Sequence, residues 1–276
     1  MKDESKIRVS DLPIIFVENP ISRSFINVLI EKNILDTEII YLNKTFSLGF
    51  LEKLYFKSRN YYPRYFLNDN DLNYLIDQIE DFFELSRGFI GSIYKFDNIY
   101  KFNNIYKINS NSINSKESME FFNNHSSSLY LNANHEILRE IFDTNKSFFH
   151  IHPGYLPKVK GADGSLHSID KFGEIGCSFF EMTKKIDEGK ILKRINRNFN
   201  KLKLSKLAKY KVKDLYRIWF SFFDPALRAY MYKNLIETNL DMNDKLLFKK
   251  YNHEESNYYS FVNENELNNI FYKIFK

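Results

Sequence analysis

Residues 148–192 read FFHIHPGYLPKVKGADGSLHSIDKFGEIGCSFFEMTKKIDEGKIL, and they hold most of the turn-forming and proton-handling residues of the chain. The segment contains six of the nine glycines, two of the six prolines and three of the six histidines. Glycine and proline mark turns, and histidine is the side chain that titrates nearest neutral pH. We therefore expect the functional site to be built around this segment.

Two histidines of this segment stand at the end of a predicted strand. His150 and His152 are two residues apart, so on a strand they lie on one face, and Pro153 and Gly154 end the strand directly after them. In open α/β sheets, ligands bind at the carboxyl ends of the strands. A further strand over residues 176–180 leads to a loop that carries Asp187, whose carboxylate at the same edge can orient a histidine that acts as a general base.

The start of the chain predicts a βαβ unit. Residues 12–17 are a short apolar run typical of a buried strand, Asn19 and Pro20 are typical of a helix start, and residues 37–42 predict a second strand. The turn after the first strand has no glycine, although a dinucleotide pyrophosphate needs small residues there. We predict a Rossmann-like topology that does not bind NAD in the usual way.

The other elements alternate between helix and strand. We predict helix over 44–87, short strands or an insertion over 89–106, a loop over 109–115, helix over 116–124, a strand over 128–131, a short helix over 136–142 and a strand over 148–152. Toward the end we predict helix over 207–222, a break at Asp224 and Pro225, a restart over 226–236 and a last helix over 264–275. These patterns predict an α/β fold with a Rossmann-like, mostly parallel sheet over residues 1–200 and a small, mainly helical C-terminal subdomain over 201–276.

Composition is that of an ordinary globular protein. The 276 residues are 43% hydrophobic and 17% aromatic, which allows a sizeable core, and the net charge of +5 is mild and compatible with a phosphate-bearing substrate. The single cysteine, Cys177, cannot form an internal disulfide. Because the N-terminus is acidic early and no run reaches about 18 apolar residues, we expect no signal peptide, no membrane segment and a cytoplasmic location.

Two motifs resemble those of the folate-dependent formyltransferases. HIHPGYLPKVKGADGSLHS resembles the family signature, approximately N-x-H-P-S-L-L-P-x-[FYW]-[RK]-G, with Gly161 at its turn glycine. EIGCSFFEMTKKIDEGKIL resembles the later T-G-[VC]-[ST]-x-x-x-[MV]-x-x-x-[LV]-D-x-G-x-[IL]. The resemblance covers about residues 12–200 and implies the formyltransferase fold, 10-formyltetrahydrofolate as formyl donor and an Asn/His/Asp catalytic set.

Carried over by position, the resemblance makes His152 the catalytic histidine and Asp187 the catalytic aspartate. The family asparagine falls on His150 here, and a histidine can also donate a hydrogen bond to an oxyanion, a contribution of about 3 kcal/mol. The implied reaction is attack of a substrate amine on the formyl carbon, with His152 relaying the proton, Asp187 orienting it and His150 stabilising the oxyanion. No metal is required.

The same resemblance implies two segments around the folate. The segment over 131–138 aligns with the one that lines the folate pocket, and the segment over 182–186 aligns with the loop that closes over the pterin. The implied donor-binding residues are Leu131, His135, Glu136, Ile137, Leu138, Met182, Thr183, Lys184, Lys185 and Ile186.

Several alternatives remain open. The two histidines with a carboxylate and His167 could instead hold zinc. Residues 193–213 carry nine basic and no acidic residues, which fits a solvated face, contact with substrate phosphates, or tRNA binding. The C-terminal part is shorter and more helical than in methionyl-tRNA formyltransferases, which argues against tRNA as substrate. By elimination the resemblance implies a sugar N-formyltransferase of surface polysaccharide synthesis acting on a nucleotide-linked amino sugar, with room for a homodimer through the C-terminal part. A non-catalytic folate or nucleotide-sugar binding protein is the rival class.

Overall fold

A seven-stranded sheet forms the centre of the molecule in the computed structural model, which describes residues 6–49, 51–52, 70–204, 210–242 and 256–275. The strands of this sheet are β1 (Ile14–Phe16), β2 (Ile39–Leu42), β3 (Ile105–Ile108), β4 (Leu129–Asn132), β5 (Ser147–His152), β7 (Glu174–Glu181) and β8 (Ile191–Asn198). Their spatial order is β3-β2-β1-β4-β5-β7-β8; the first five run parallel, and β7 and β8 are antiparallel. The predicted α/β fold with a mostly parallel sheet is confirmed.

A second, two-stranded sheet joins the central segment to the end of the chain. It pairs β6 (Lys160–Gly161) with β9 (Tyr258–Tyr259) in parallel. The described helices are α1 (Pro20–Glu31), α2 (Asn70–Phe82), α3 (Phe89–Ile93), α4 (Lys116–Asn124), α5 (Gly164–Phe172), α6 (Val212–Ile218), α7 (Asp224–Glu237) and α8 (Glu264–Ile274). None of the helices in the described ranges combines the length and the apolar character needed to cross a bilayer.

Both faces of the sheet are covered, which explains the apolar runs of its strands. In β1, Ile14 and Phe16 belong to one core cluster, while Ile15 between them belongs to the cluster on the other face. The larger cluster also takes in Phe25 of α1 and Tyr232 of α7, whose rings lie 5.1 Å apart. The C-terminal helices therefore share the core of the N-terminal strands.

The start of α1 forms as the sequence predicts. Asn19 caps the helix because its side-chain oxygen accepts a hydrogen bond from the backbone N–H of Ser22 at 2.8 Å, and Pro20 occupies the first turn, where its missing N–H costs nothing. The helix start is thus closed by its own side chain.

Two predicted segments, residues 44–87 and residues 89–106, differ from what the structure has. Of residues 44–87, the structure has turns over 44–47, helical residues at 51–52 and a helix from Asn70 to Phe82, while residues 50 and 53–69 lie outside the described part. Over 89–106, the predicted short strands are wrong in the main: α3 and a 3-10 helix (Phe96–Lys101) come before β3.

The predicted helix over 136–142 is also wrong, because local side chains take the backbone groups that a helix would use. The N–H of Asn134 donates to the side chain of Asn132 at 3.1 Å, and the N–H of Glu136 donates to the side chain of Asn134 at 3.2 Å. Such Asx turns compete with helix formation. Only a short 3-10 helix (Glu140–Asp143) follows.

The predicted break at Asp224 and Pro225 does not occur. The chain runs from α6 through a π-helical turn (Trp219–Phe223) directly into α7, with Pro225 in its first turn. Proline leaves the carbonyl four residues before it without a helical donor. That carbonyl, of Ser221, accepts instead from the hydroxyl of Tyr94 at 2.7 Å.

Two elements were missed by the sequence patterns. Helix α5 lies between the predicted strands 148–152 and 176–180, where no helix was predicted, and β8 covers the first part of the basic run. The strands predicted over 12–17, 37–42, 128–131, 148–152 and 176–180, and the helices over 116–124 and 264–275, are confirmed within a few residues.

Candidate active site

A cavity of about 350 Å³ lies beyond the carboxyl ends of β4 and β5. Its walls come from the start of α1, the loop after β4, the end of β5, the loop between β7 and β8, and the C-terminal part. The lining residues include Ile21, Ala133 to Leu138, His150, His152, Pro153, Asp163, Phe180, Met182 to Asp187, Phe220, Arg228, Tyr258 and Phe261. The sheet edge predicted to bind a ligand is thus the edge that carries this cavity.

His152 is buried in the wall of the cavity, and its tautomer follows from its neighbours. Its Nε2 lies 2.9 Å from the carbonyl oxygen of Val159. A carbonyl only accepts, so Nε2 carries the hydrogen and Nδ1 is the nitrogen that can take up a proton. Nδ1 lies 3.7 Å from Oδ2 of Asp187, which is longer than a hydrogen bond and within the range of an ion pair.

Asp187 lies on the loop between β7 and β8, and its carboxylate is held by the backbone of the central segment. Its Oδ2 accepts a hydrogen bond from the backbone N–H of Gly161 at 2.8 Å. Gly161 has a φ of +90°, and a Cβ there would lie 2.1 Å from the carbonyl oxygen of Tyr259. The signature glycine is needed because no other residue fits this conformation and this close approach.

Gly154 makes room for His152. A Cβ at this position would lie 2.6 Å from Nε2 of His152 and 2.7 Å from the carbonyl oxygen of Val159. The Pro-Gly pair therefore ends β5 and also lets the chain pass against the imidazole and its hydrogen-bond partner.

His150 lies in the same cavity, but the oxyanion role expected for it does not fit its contacts. Its Nδ1 lies 2.9 Å from the carbonyl oxygen of Asn132, and its Nε2 lies 3.1 Å from Nη1 of Arg228. A guanidinium only donates, so Nε2 accepts and Nδ1–H donates to the carbonyl. Both ring nitrogens are engaged, and no N–H of His150 remains for a substrate oxygen.

The surroundings also keep the His150 ring neutral. Burial lowers the pKa of His150 well below its usual range, and the positive charge of Arg228 lowers it further. A neutral ring is what the acceptor role of Nε2 requires, so the hydrogen bonds and the charges agree.

Arg228, on α7, was missed by the sequence analysis. Its Nε donates to Oδ2 of Asp224 at 2.8 Å, and its Nη1 contacts both His150 and the carbonyl oxygen of Ile151. Arg228 is 8% exposed and Asp224 is 1% exposed, so this is a buried ion pair beside the cavity. A lone arginine in a predicted helix gave no signal that it would reach the end of β5.

The two predicted donor-binding segments both line the cavity, with one exception. His135, Glu136, Ile137 and Leu138 do so after β4, and Met182, Thr183, Lys184, Lys185 and Ile186 do so before Asp187. Leu131 is a correction: it is fully buried in the core cluster that α1 and α7 share, because its position on β4 points it away from the cavity. Ala133 and Asn134 line the cavity instead.

Glu136 ties the first of these segments to the rest of the fold. Its carboxylate pairs with Nζ of Lys44 at 2.6 Å and accepts hydrogen bonds from Ser112 and from the N–H of Ile113. Burial acts to raise the pKa of Glu136, but these hydrogen bonds outweigh it and the pKa lies below its usual value. The segment is therefore held by a charged residue at its centre.

His167 does not join the pair on β5. Its Nε2 donates to the carbonyl oxygen of Ser260 at 2.9 Å, its ring stacks on Tyr259 at 4.5 Å, and His167 is not among the residues that line the cavity. Within the described ranges, no three His, Cys, Asp or Glu side chains come together as a metal site. The contacts of His167 account for its burial.

The mouth of the cavity is aromatic and carries two lysines. Tyr258 is 63% exposed and Phe261 is 76% exposed, and Phe220 lies on the same rim. Lys184 pairs with Asp143 at 2.7 Å and Lys185 lies 3.7 Å from Glu188, both with exposed side chains.

The described part of the basic run does not reach the cavity. Arg194 donates to the carbonyl oxygen of Leu156 at 2.8 Å and lies over the ring of Tyr155. Arg197 lies over the ring of Phe82. These arginines pack the edge strand β8, and residues 205–209 of the run lie outside the described part.

The chain is similar to solved structures of N-formyltransferases at low sequence identity. No protein-family model and no curated protein sequence matches this chain. Among solved structures, a sugar N-formyltransferase from Shewanella sp. matches with a TM-score of 0.44 at 13% identity, over 90% of this chain and 76% of that chain. An N-formyltransferase from Helicobacter canadensis, in complex with folinic acid and dTDP-3-aminofucose, matches with a TM-score of 0.47 at 16% identity, over 91% of this chain and 70% of that chain.

A third match of this kind is a 4-N formyltransferase from Francisella tularensis, with a TM-score of 0.44 at 14% identity, over 91% of this chain and 76% of that chain.

Proposed function

We propose that this protein is an N-formyltransferase that moves a formyl group from 10-formyltetrahydrofolate to a primary amine. One observation carries the proposal: His152 and Asp187, from two separate motifs, meet at 3.7 Å in the wall of a cavity. The other walls of that cavity come from the two segments that the motif resemblance assigns to the formyl donor. Three separate segments, around residues 133–138, His152 and residues 182–187, thus converge on one place.

The pair is suited to handling the proton of an attacking amine. Nδ1 of His152 is the basic nitrogen, and the carboxylate of Asp187 faces it. When an amine attacks a formyl carbon it becomes acidic, and a nearby base that removes its proton allows the intermediate to go on to product. A negative charge beside the ring stabilises the imidazolium that forms.

The cavity has groups that suit a flat heteroaromatic donor. Its walls include the buried side chains of Leu138 and Phe180, and Met182 packs near them. Nδ2 of Asn134 is buried and has no hydrogen-bond partner within the described residues. Because an unpaired buried donor is costly, a bound molecule that offers it an acceptor gains affinity.

For the acceptor we propose a nucleotide-linked amino sugar. The aromatic rim of Phe220, Tyr258 and Phe261 offers faces on which a base can stack, and Lys184 and Lys185 offer cations at the same mouth. The overall charge of +5 is compatible with a diphosphate. Because His152 is buried while Tyr258 and Phe261 are exposed, the amine would point inward and the nucleotide would stay at the rim.

A turnover assay tests the proposal. Purified protein is mixed with 10-formyltetrahydrofolate and a panel of nucleotide-linked amino sugars, release of tetrahydrofolate is followed, and Asp187→Asn serves as the matched inactive control. Formylation of at least one sugar, lost in the control, is the expected result. Transfer to methionyl-tRNA alone would overturn the acceptor class, and no transfer to any amine would overturn the enzyme assignment.

A further inference from the structure

Arg228, the buried arginine beside His152 and Asp187, has one hydrogen-bond donor, Nη2, that no described residue uses. Resting on the proposed function, we propose that Arg228 donates to the formyl oxygen as its negative charge develops, and that His150 is a positioning residue that holds Arg228 in place. This assigns a catalytic role to α7, a helix of the C-terminal part that the motifs do not cover.

His150 has no N–H left to donate to a substrate oxygen. Its Nδ1–H is used by the carbonyl oxygen of Asn132, and its Nε2 accepts from Arg228. Neither nitrogen can donate to a third group without breaking one of these contacts. The oxygen of a tetrahedral intermediate formed near His152 therefore needs another donor.

Arg228 has one guanidinium nitrogen that no described residue uses. Its Nε is used by Asp224, and its Nη1 by His150 and the carbonyl of Ile151. Nη2 has no partner in the described part of the chain, and it is not sealed away among the buried unpaired atoms. Because Arg228 lines the cavity, Nη2 is the nitrogen of this cation that a ligand can meet.

The guanidinium of Arg228 is held rigidly. Arg228 is held at Nε by a carboxylate that is 1% exposed and at Nη1 by a ring on β5, so the guanidinium plane is fixed from two elements. A preorganised donor in a cavity needs no rearrangement as charge develops, which is the condition for a large effect on rate. His150 contributes through Arg228 rather than by touching the substrate.

The proposed transfer needs only the amine, the formyl donor and these side chains. The amine nitrogen forms a bond to the formyl carbon, and the carbonyl electron pair moves onto oxygen, where Nη2 of Arg228 donates to it. His152 takes the amine proton. Collapse restores the carbonyl and breaks the bond between the formyl carbon and N10 of the folate, and the proton held by His152 goes to N10. No redox change and no further reactant is involved.

Variants at Arg228 test this role, and the buried partner must be changed with it. Arg228→Gln alone would leave the Asp224 carboxylate buried without its cation, which endangers folding. The double variant Asp224→Asn with Arg228→Gln removes both charges at similar volume. We expect this double variant to fold, to bind 5-formyltetrahydrofolate in calorimetry as the wild type does, and to lose about 10²–10³-fold in kcat with KM for the donor unchanged.

Two further variants separate catalysis from packing. Arg228→Lys keeps a cation but loses the fork of donors, so its kcat should lie between the wild type and the double variant. Arg23→Lys is the matched control, because Arg23 is also buried, contacts Glu18 and the carbonyl oxygen of Ile93, and is not among the residues lining the cavity. It should change thermal stability and leave kcat as it is.

The outcomes distinguish this inference from the proposed function. If the wild type transfers formyl and the folded double variant has the same kcat, the role of Arg228 is overturned and the proposed function stands. A loss confined to donor binding, with kcat unchanged, would also overturn it, because Arg228 would then be a binding residue. A wild type that transfers formyl to no amine would overturn the proposed function and this inference together.

Discussion

Nδ1 of His152 lies 3.7 Å from Oδ2 of Asp187, and the same carboxylate oxygen is held at 2.8 Å by the N–H of Gly161. The carboxylate is thus anchored by backbone, while the imidazole is anchored through its other nitrogen by the carbonyl of Val159. The gap between them is slightly longer than a hydrogen bond, as is common where a catalytic contact tightens only when substrate is bound.

The first prediction concerns this pair. His152→Ala should lower formyl transfer by about 10²–10⁴-fold, because the proton of the amine loses its acceptor. Asp187→Asn should also lower it strongly, since the amide oxygen can still accept from Gly161 but carries no charge to stabilise an imidazolium. Single-turnover rates measure both effects, and melting temperatures close to that of the wild type would show that the fold persists. Wild-type rates in either variant would remove the pair from the mechanism.

The second prediction uses two glycines in different surroundings. Gly154→Ala should lower the free energy of unfolding and the transfer rate together, because the new Cβ would lie 2.6 Å from Nε2 of His152. Gly91→Ala, within α3, is the control: nothing lies within 4 Å of its new Cβ, and alanine favours a helix over glycine by about 0.5–1 kcal/mol. Urea unfolding should therefore show a lower free energy of unfolding for Gly154→Ala and a higher one for Gly91→Ala. A Gly154→Ala variant as stable and as active as the wild type would contradict the conclusion that His152 leaves no room for a Cβ at this position.

The third prediction is a pH dependence of stability that comes from His150. Its pKa in the folded chain is lowered by burial and by Arg228, so below the ordinary pKa of histidine, about 6.5, the unfolded chain binds a proton that the folded chain does not. The free energy of unfolding is therefore unaffected by His150 above that pH. Below it, the free energy of unfolding falls as the pH falls, by at most about 1.4 kcal/mol per pH unit for one proton.

His150→Asn removes this titration and tests it. Urea unfolding of the wild type and the variant at several values from pH 7 to pH 5 should show a shallower loss of stability in the variant. Equal slopes in the two proteins would mean that His150 is not held neutral in the folded state. The same variant keeps a side-chain oxygen that can accept from Arg228, so we expect it to retain part of the transfer activity.

The fourth prediction concerns donor affinity. Asn134→Ala removes the buried Nδ2 that has no partner within the described residues, and it should weaken binding of 5-formyltetrahydrofolate by about tenfold, the equivalent of one lost hydrogen bond of about 1.4 kcal/mol. Asn114→Ala is the matched control. Asn114 braces the same loop by accepting from the N–H of Arg139 at 2.7 Å, but it is not among the cavity-lining residues.

Calorimetry with both variants separates recognition from bracing. Equal losses of affinity in the two would assign the effect to the loop as a whole, and no loss in Asn134→Ala would place the donor elsewhere. The stability of each variant should be measured alongside, because Asn134 also accepts from the N–H of Glu136 at 3.2 Å.

The successes of sequence interpretation follow local rules. The strand that ends at His152 could be predicted because apolar residues lead into Pro153 and Gly154, and the cap at Asn19 could be predicted because its side chain satisfies a donor three residues away. The wrong predictions fall where other groups, near in the sequence or far from it, take the hydrogen bonds of the backbone. Asx turns at Asn132 and Asn134 replaced a predicted helix, and a hydroxyl from Tyr94 removed the need for a break at Pro225.

The sequence by itself determined the alternation of strands and helices, the edge of the sheet at which the cavity lies, and His152 and Asp187 as the proposed catalytic pair, because periodicity, turn residues and motif spacing are properties of neighbours along the chain. Only the tertiary structure decided what His150 does. Its donors and acceptors are used by Asn132 and by Arg228, which come from another strand and from a C-terminal helix. Hydrogen bonds of a buried ring depend on which groups packing brings within 3 Å of it, and packing of distant segments is set by the whole core rather than by the residues on either side.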